Sequence, residues 1–349
     1  MPDLCAAPKG RKCLESRYRR VFWALILILA VLFFLSLSVG RYYVPLGETV
    51  KIMFSLILPI QQTWTDMMEN VIYNIRLPRL AAAILVGAGL AASGAAYQGI
   101  FRNPLVSPDL LGVSAGACVG AACAIFLRLN NFGIQLAALG LGLVTVLLTV
   151  SIPRIFRNDS TLMLVLSGVI VGGFMSSILG LLKYVADPEE ELASIVYWTL
   201  GSFSAVRRDT ILLVAPAMLA ACLVLLLLRW RINLLSLGDN EAKALGMNLK
   251  QIRGICIVCA TLLTACAVCI SGTIGWVGLI IPHLGRLLTG QDHRYLLPVS
   301  VVLGACFMIA VDIVARNLTG SEIPLSILTG LTGAPLFVWL VVKQKGRIR

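Results

Sequence analysis

Histidine and acidic side chains are scarce in this sequence: two histidines, His283 and His293, and 17 aspartates and glutamates in 349 residues. Two histidines are too few for a histidine metal cage. No G-x-x-x-x-G-K-[ST] loop occurs, which excludes ATP binding of that kind. No pair of carboxylates sits within the apolar runs to suggest a proton relay. Charged residues make up only 13%, and no polar stretch is long enough for a soluble catalytic domain. Embedded catalysis is therefore not expected, and neither is a cofactor or a resident metal. A cleaved leader is not expected either: the first apolar run, about residues 21–39, is too long for a signal-peptide core, and no A-x-A site follows it.

What is abundant is apolar length. Hydrophobic residues are 58% of the chain, and the mean hydropathy is +0.90, whereas soluble domains run to about 45–50% apolar. Runs of roughly 20 residues, enough to cross a bilayer core, recur along the whole length. The expected fold is an all-α polytopic membrane protein with about ten spans. They fall near 21–41, 79–100, 108–127, 134–153, 161–183, 210–229, 254–274, 276–289, 298–315 and 324–342. The eighth is the least regular, since Pro282 and His283 interrupt a short run. The net charge of +12 does not point to nucleic acid, because most basic residues fall on one side of this arrangement. The positive-inside rule then puts both termini in the cytoplasm. Residues 1–20 read as a basic cytoplasmic tail. Residues 21–345 read as one membrane domain, with a cytoplasmic loop at about 230–253.

Ten cysteines resemble a disulfide framework only until they are placed. Most fall in spans, where they act as small apolar residues. Cys256/Cys259 and Cys266/Cys269 form two C-x-x-C pairs on one broad helical stripe. Its ends lie about 20 Å apart at 1.5 Å per residue, so one metal cannot reach all four, and a packing face is the favoured reading over a metal or redox role. Gly112-x-x-x-Gly116-x-x-x-Gly120 is a small-residue ridge of the kind that lets helices approach closely. Internal packing is favoured for it over a dimer seam.

The loops carry the remaining signals. Outside, residues 42–73 are amphipathic, with Trp64 and Tyr73 suited to the interface. The segment 186–209 opens with Asp187-Pro-Glu-Glu-Glu191, and its Trp198–Ser202 part is expected to return into the bundle as a short helix. Arg207 and Arg208 follow, as interfacial anchors or as a site for an anionic ligand or acidic partner. Arg76-Leu-Pro-Arg79 and Arg316 also lie outside, against the charge trend. They are either snorkelling anchors or forks for carboxylates on another protein. Asp312, four residues before Arg316, is placed for an ion pair on one helix face. Inside, Phe101-Arg-Asn-Pro-Leu-Val-Ser-Pro108 is a tight turn, and Ser160-Thr161 precedes the fifth span and suits its cap. The most informative stretch is Ser236–Lys250. Asp239 is expected as an N-cap, Glu241 suits the positive end of a helix, Gly246 suits the C′ position and Asn248 caps a second helix. A stiff helix–Gly–helix element on the basic side of a membrane bundle suggests a docking surface.

Several blocks, read together, resemble one family: RLPR, YQGIFRNPLVSPDLLGVSAGA, LGDNEAKALGMNL, GTIGWVGLIIPHLGRLL, DHRYLLP and EIPLSILTGLTGAPLF look like the FecCD/BtuC-type permeases. These are the membrane subunits of binding-protein-dependent ABC importers for ferric siderophores, haem and cobalamin, and the resemblance covers about residues 70–345. It implies a BtuC-like homodimer in the inner membrane of a bacterial or archaeal cell, with membrane lipid around it. It also implies two cytoplasmic ABC ATPase subunits, an extracytoplasmic substrate-binding protein and a metal-chelate cargo, a ferric siderophore first. Leu237, Gly238, Asp239, Glu241, Ala242, Leu245 and Gly246 match the ATPase-coupling loop. Arg76, Arg79 and Arg316 match positions that pair with glutamates of the binding protein. Asn103 and Leu105 match a cytoplasmic gate, and Ser160 and Thr161 a second one. Arg207, Arg208 and the cysteine-rich span have no counterpart in that pattern. The competing class is an ion- or proton-coupled secondary transporter of a small solute, for which intramembrane acidic residues are lacking.

Overall fold

Each of the ten apolar runs forms a helix in the structure, a computed structural model that describes residues 8–55, 57–157 and 160–345. Along the chain the helices are α1 (Pro8–Ser38), α2 (Leu46–Ser55), α3 (Asp66–Asn70), α4 (Leu77–Ile100), α5 (Val113–Phe126), α6 (Asn131–Ile155) and α7 (Thr161–Val185). They continue as α8 (Glu191–Leu200), α9 (Arg208–Leu237), α10 (Asp239–Ala244), α11 (Leu249–Ser271), α12 (Val277–Thr289), α13 (His293–Asn317) and α14 (Leu325–Lys345). A π-helical turn, Val71–Arg76, leads into α4, and a 3-10 turn, Pro108–Leu111, leads into α5. The described residues contain no strand.

By length and composition seven of these helices can cross a membrane, and three apolar ones, Val113–Phe126, Val277–Thr289 and Leu325–Leu340, are shorter. A helix of 13 residues such as α12 reaches only about 20 Å at 1.5 Å per residue. The residues around Pro282 are helical, and it is the Gly272–Trp276 segment before them that is unwound, with Trp276 at φ 71°.

Burial divides the bundle into a hub and a rim. The apolar windows of α4, α11 and α13 are 78%, 72% and 67% buried, against 22% for α1, α7 and α9. The reason lies in α4, which is rich in Ala, Gly and Ser between Ala81 and Gly99. A Cβ on Gly94 would stand 1.8 Å from the Gly278 carbonyl oxygen, so α4 and α12 touch backbone to backbone. In a lipid-filled solvent such contact, rather than water exclusion, drives helix association. Ser93 donates to the Ala260 carbonyl at 2.9 Å, and the Tyr97 and Thr261 hydroxyls meet at 2.8 Å, which joins α4 to α11.

Several expectations change here. The glycine ridge packs internally, against α6: a Cβ on Gly116 would meet Thr145 Oγ1 and one on Gly120 the Ala137 carbonyl. Gly112 is not part of that helix; it sits at φ 77° between the 3-10 turn and α5. The basic tail is helical from Pro8 onward, continuous with α1, while residues 1–7 lie outside the described residues. Its Tyr18 ring packs 4.8 Å from that of Tyr295. Trp64 faces a small local core with Val44, Ile52 and Ile72 rather than the interface. The return of 198–202 holds but not as a helix of its own: α8 ends at Leu200, and beyond it the Ser202 amide donates to Ser271 and Gly201 accepts from Leu325.

Candidate functional site

At the basic end, α10 is a six-residue helix set between Gly238 and Gly246. Gly246 sits at φ 76°, as its sequence position suggests. Asn248 caps α11, its side chain accepting from the Gln251 amide. Asp239 is not the N-cap. Gly238 holds that place, and Asp239 is the first helical residue, so its carboxylate is released for other partners. One of its oxygens lies 2.9 Å from Arg253 Nη2 and 3.3 Å from Arg102 Nη2. Glu241 folds back over the helix start, lying where a Cβ on Gly238 would fall. Ala242 is fully buried and anchors the helix, while Leu237 and Leu245 at its two ends are 44% and 63% exposed. A short polar helix with two exposed leucines on its flanks has the makings of a protein-docking face.

The turn at 101–108 lies beside it. Asn103 Oδ1 accepts from the Leu105 amide at 2.9 Å, and Gln98 donates to the Val106 carbonyl at 3.2 Å. Leu105 itself is exposed. Ser160 caps α7, accepting from Met163 at 3.2 Å, and Thr161 is the first residue of that helix. The 3-10 turn that follows 101–108 packs on α7, where Gly168 abuts the Leu110 carbonyl. The turn that carries Asn103 and Leu105 thus leads into a segment that packs on the helix Ser160 caps, about two turns beyond the cap. Near by, the Asp292 carboxyl is pushed up by burial, but hydrogen bonds from Arg294 and Asn233 outweigh this and hold it below the usual carboxylate range.

At the opposite end the three expected docking arginines come together, and all three are buried. Arg79 Nε lies 2.7 Å from Asp312 and its Nη1 lies 2.7 Å from Glu322. Arg316 Nε lies 3.0 Å from Asp312, the i,i+4 pair its spacing suggests. Arg316 also donates to the Ser36 hydroxyl at 3.0 Å, and Arg76 donates to the carbonyls of Leu37, Ser38 and Tyr42. Two guanidinium groups thus satisfy the last carbonyls of α1, where helix polarity favours a cation. None of the three presents an unpaired fork outward, so pairing with another protein requires an internal partner to give way. Glu322, 31% exposed, is the partner within reach. It borders a cavity of about 390 Å³ lined also by Arg41, Tyr197, Ser202 and Ser204.

Other singled-out residues stand apart from both ends. Arg207 and Arg208 are exposed at the N-terminal end of α9, where a cation gains nothing from the helix dipole. Cys256, Cys259, Cys266 and Cys269 are buried free thiols. No group of three His, Cys, Asp or Glu among the described residues is placed to hold a metal. The signals that sequence reasoning missed are Asp312 as a partner of Arg79 and Glu322 as a member of the cluster, since both pairs span more than 230 residues.

The bundle thus sets a hub of small-residue helices between a short polar helix at its basic end and a cluster of buried, paired arginines at the other. The chain belongs to the FecCD transport family, whose sequence profile matches residues 28–343. It is 44% identical over 333 residues to the molybdate import system permease protein MolB of Haemophilus influenzae, covering 94% of this chain and 97% of that protein. A probable iron chelatin transport system permease protein of Helicobacter pylori is 44% identical over 276 residues, covering 79% of this chain and 83% of that one. The vitamin B12 import system permease protein BtuC of Klebsiella pneumoniae is 35% identical, covering 95% and 96%. A solved inward-facing conformation of a metal-chelate type ABC transporter superposes with a TM-score of 0.82 at 43% identity, covering 93% of this chain and 99% of that one. The chain is thus an integral multi-pass membrane protein of the ABC-permease type, a transport component rather than an enzyme.

Proposed function

We propose that this chain spans the inner membrane ten times with both termini in the cytoplasm. Two copies form the pathway of a binding-protein-dependent ABC importer. The observation that carries the reading is α10, a helix anchored by Ala242 with Leu237 and Leu245 left exposed beside it. A separate ATPase subunit docks on 236–250, and nucleotide binding there biases the bundle between two arrangements that the ATPase contacts differently. Asn103, Leu105, Ser160 and Thr161 close the inner end. At the outer end an acidic side chain of the binding protein takes over Arg79 from Glu322, next to Arg76 and Arg316.

The cargo is a metal-bearing species, and a ferric siderophore is the first reading, in keeping with the iron chelatin permease. Molybdate is the second, favoured by the likeness to MolB over 94% of the chain. The deciding experiment reconstitutes the permease with its ATPase and binding protein in liposomes and compares uptake of radiolabelled ferric chelate and molybdate. Uptake of either that persists without the ATPase subunit would refute the importer reading in favour of a secondary transporter. For the outer face, Glu322→Gln is expected to tighten binding-protein docking in a salt-sensitive way. Unchanged affinity in Glu322→Gln and in Arg79→Gln together would refute that part.

A further inference from the structure

Helix α10 is joined covalently only to α9 and α11, and neither of these contains the 101–108 turn. A push on α10 needs another route to reach that turn. The structure offers one through Asp239, one of whose two carboxylate oxygens accepts from both Arg253 Nη2 at 2.9 Å and Arg102 Nη2 at 3.3 Å. The two arginines differ in setting. Arg253 lies in the second turn of α11 with its side chain 16% exposed, so it fastens Asp239 to that helix. Arg102 is 42% exposed and stands at φ 51°, the left-handed position just past α4 where glycine is the usual choice.

From the premise that 236–250 meets an ATPase and 101–108 gates the pathway, we infer that Arg102 is a positioning residue: its ion pair with Asp239 carries displacement of α10 into the gate turn. Beyond Arg102 the turn moves as one piece. Asn103 Oδ1 holds the Leu105 amide, the Val106 amide returns to the Asn103 carbonyl at 3.3 Å, and Gln98 holds the Val106 carbonyl. The next residues are the 3-10 turn, whose Leu110 carbonyl touches Gly168 of α7. The helix that Ser160 caps thus lies at the end of the same route. An exposed ion pair of this kind adds little to the stability of a fold. Its loss should therefore alter coupling while leaving the fold intact, which separates a relay from a structural contact.

The test uses the reconstituted importer with its ATPase and binding protein, and reads cargo taken up per ATP hydrolysed. Arg102→Ala is expected to retain the ATPase through purification and to unfold at the wild-type temperature. Uptake per ATP should fall by about two- to thirty-fold, the span of mutational effects on coupling. Arg102→Lys, which keeps the charge, should recover part of the loss, and Asp239→Asn should repeat it. An unchanged ratio in Arg102→Ala overturns the relay. Loss of the ATPase from Arg102→Ala overturns it too, because Arg102 would then belong to the docking face. Gly246→Trp in the same preparations reports on the premise: if assembly and uptake both survive it, the reading of 236–250 fails rather than the relay.

Discussion

Asp312 gives the sharpest quantitative test. Its carboxylate is 1% exposed and lies 2.7 Å from Arg79 Nε and 3.0 Å from Arg316 Nε. Asp312→Asn keeps the shape of the side chain and removes the charge, leaving two buried guanidinium groups short of a counter-ion. Each pair is worth roughly 6 kcal/mol of gross attraction at an effective dielectric of about 20, most of it offset by the desolvation of the ions. Removing one partner of a buried pair nevertheless costs about 3–5 kcal/mol, because the surviving charge stays buried. Glu322 still serves Arg79 and Ser36 still serves Arg316, so the lower end, about 3 kcal/mol, is expected. The control is Glu190→Ala, which breaks the Arg128–Glu190 pair at 3.6 Å, where both side chains are more than 75% exposed. That pair should be worth less than about 1 kcal/mol. The free energy of unfolding in mixed detergent micelles, titrated with sodium dodecyl sulfate, reads both. If Asp312→Asn lies within about 1 kcal/mol of wild type, close to the control, the buried cluster does not hold α1, α4 and α13 together as argued.

Gly94→Ala places a methyl against the Gly278 carbonyl and should destabilise by about 1–3 kcal/mol through overpacking. Gly140→Ala, on an open helical surface, should gain up to about 1 kcal/mol, and opposite signs in the same titration are the check. Gly246→Trp strains a left-handed position by about 1–2 kcal/mol, and a Cβ there would meet nothing within 4 Å. The fold should stand while uptake and stimulation of the ATPase are lost. Asp292 has its folded pKa held down, so the stability it contributes is present above the unfolded carboxylate range and is lost as pH falls through the folded value. Asp292→Asn should flatten the acid limb of stability below about pH 4, read from unfolding midpoints across a pH series.

The ten apolar runs were legible because crossing length is a property of consecutive residues, and every one became a helix. Short-range chemistry was legible for the same reason. Ser160 and Asn248 cap the helices they precede, and Asp312 pairs with Arg316 one turn on. The helix–Gly–helix form of 236–250 was readable from its residues, although a one-residue shift of the cap, from Asp239 to Gly238, changed what the Asp239 carboxylate does. Where local pattern left two readings open, as with the glycine ridge, only the packed neighbours α6 and α7 decided between them.

The buried arginine cluster and the Arg102–Asp239 pair are different in kind. Arg79 and Asp312 are 233 residues apart, and Arg102 and Asp239 are 137 apart. Spacing along the chain carries no information about such pairs, since they exist only once α4 has chosen α13 and α10 has settled beside the end of α4. The pairing of α4 with α13 rests on backbone contact between small residues, Gly87 with Gly304, as that of α4 with α12 rests on Gly94 with Gly278. Composition and apolar length alone thus determined that this is a membrane bundle. Whether an arginine looks outward to a partner or inward to an aspartate was decided by packing, because a desolvated guanidinium must take whichever carboxylate the fold brings within reach.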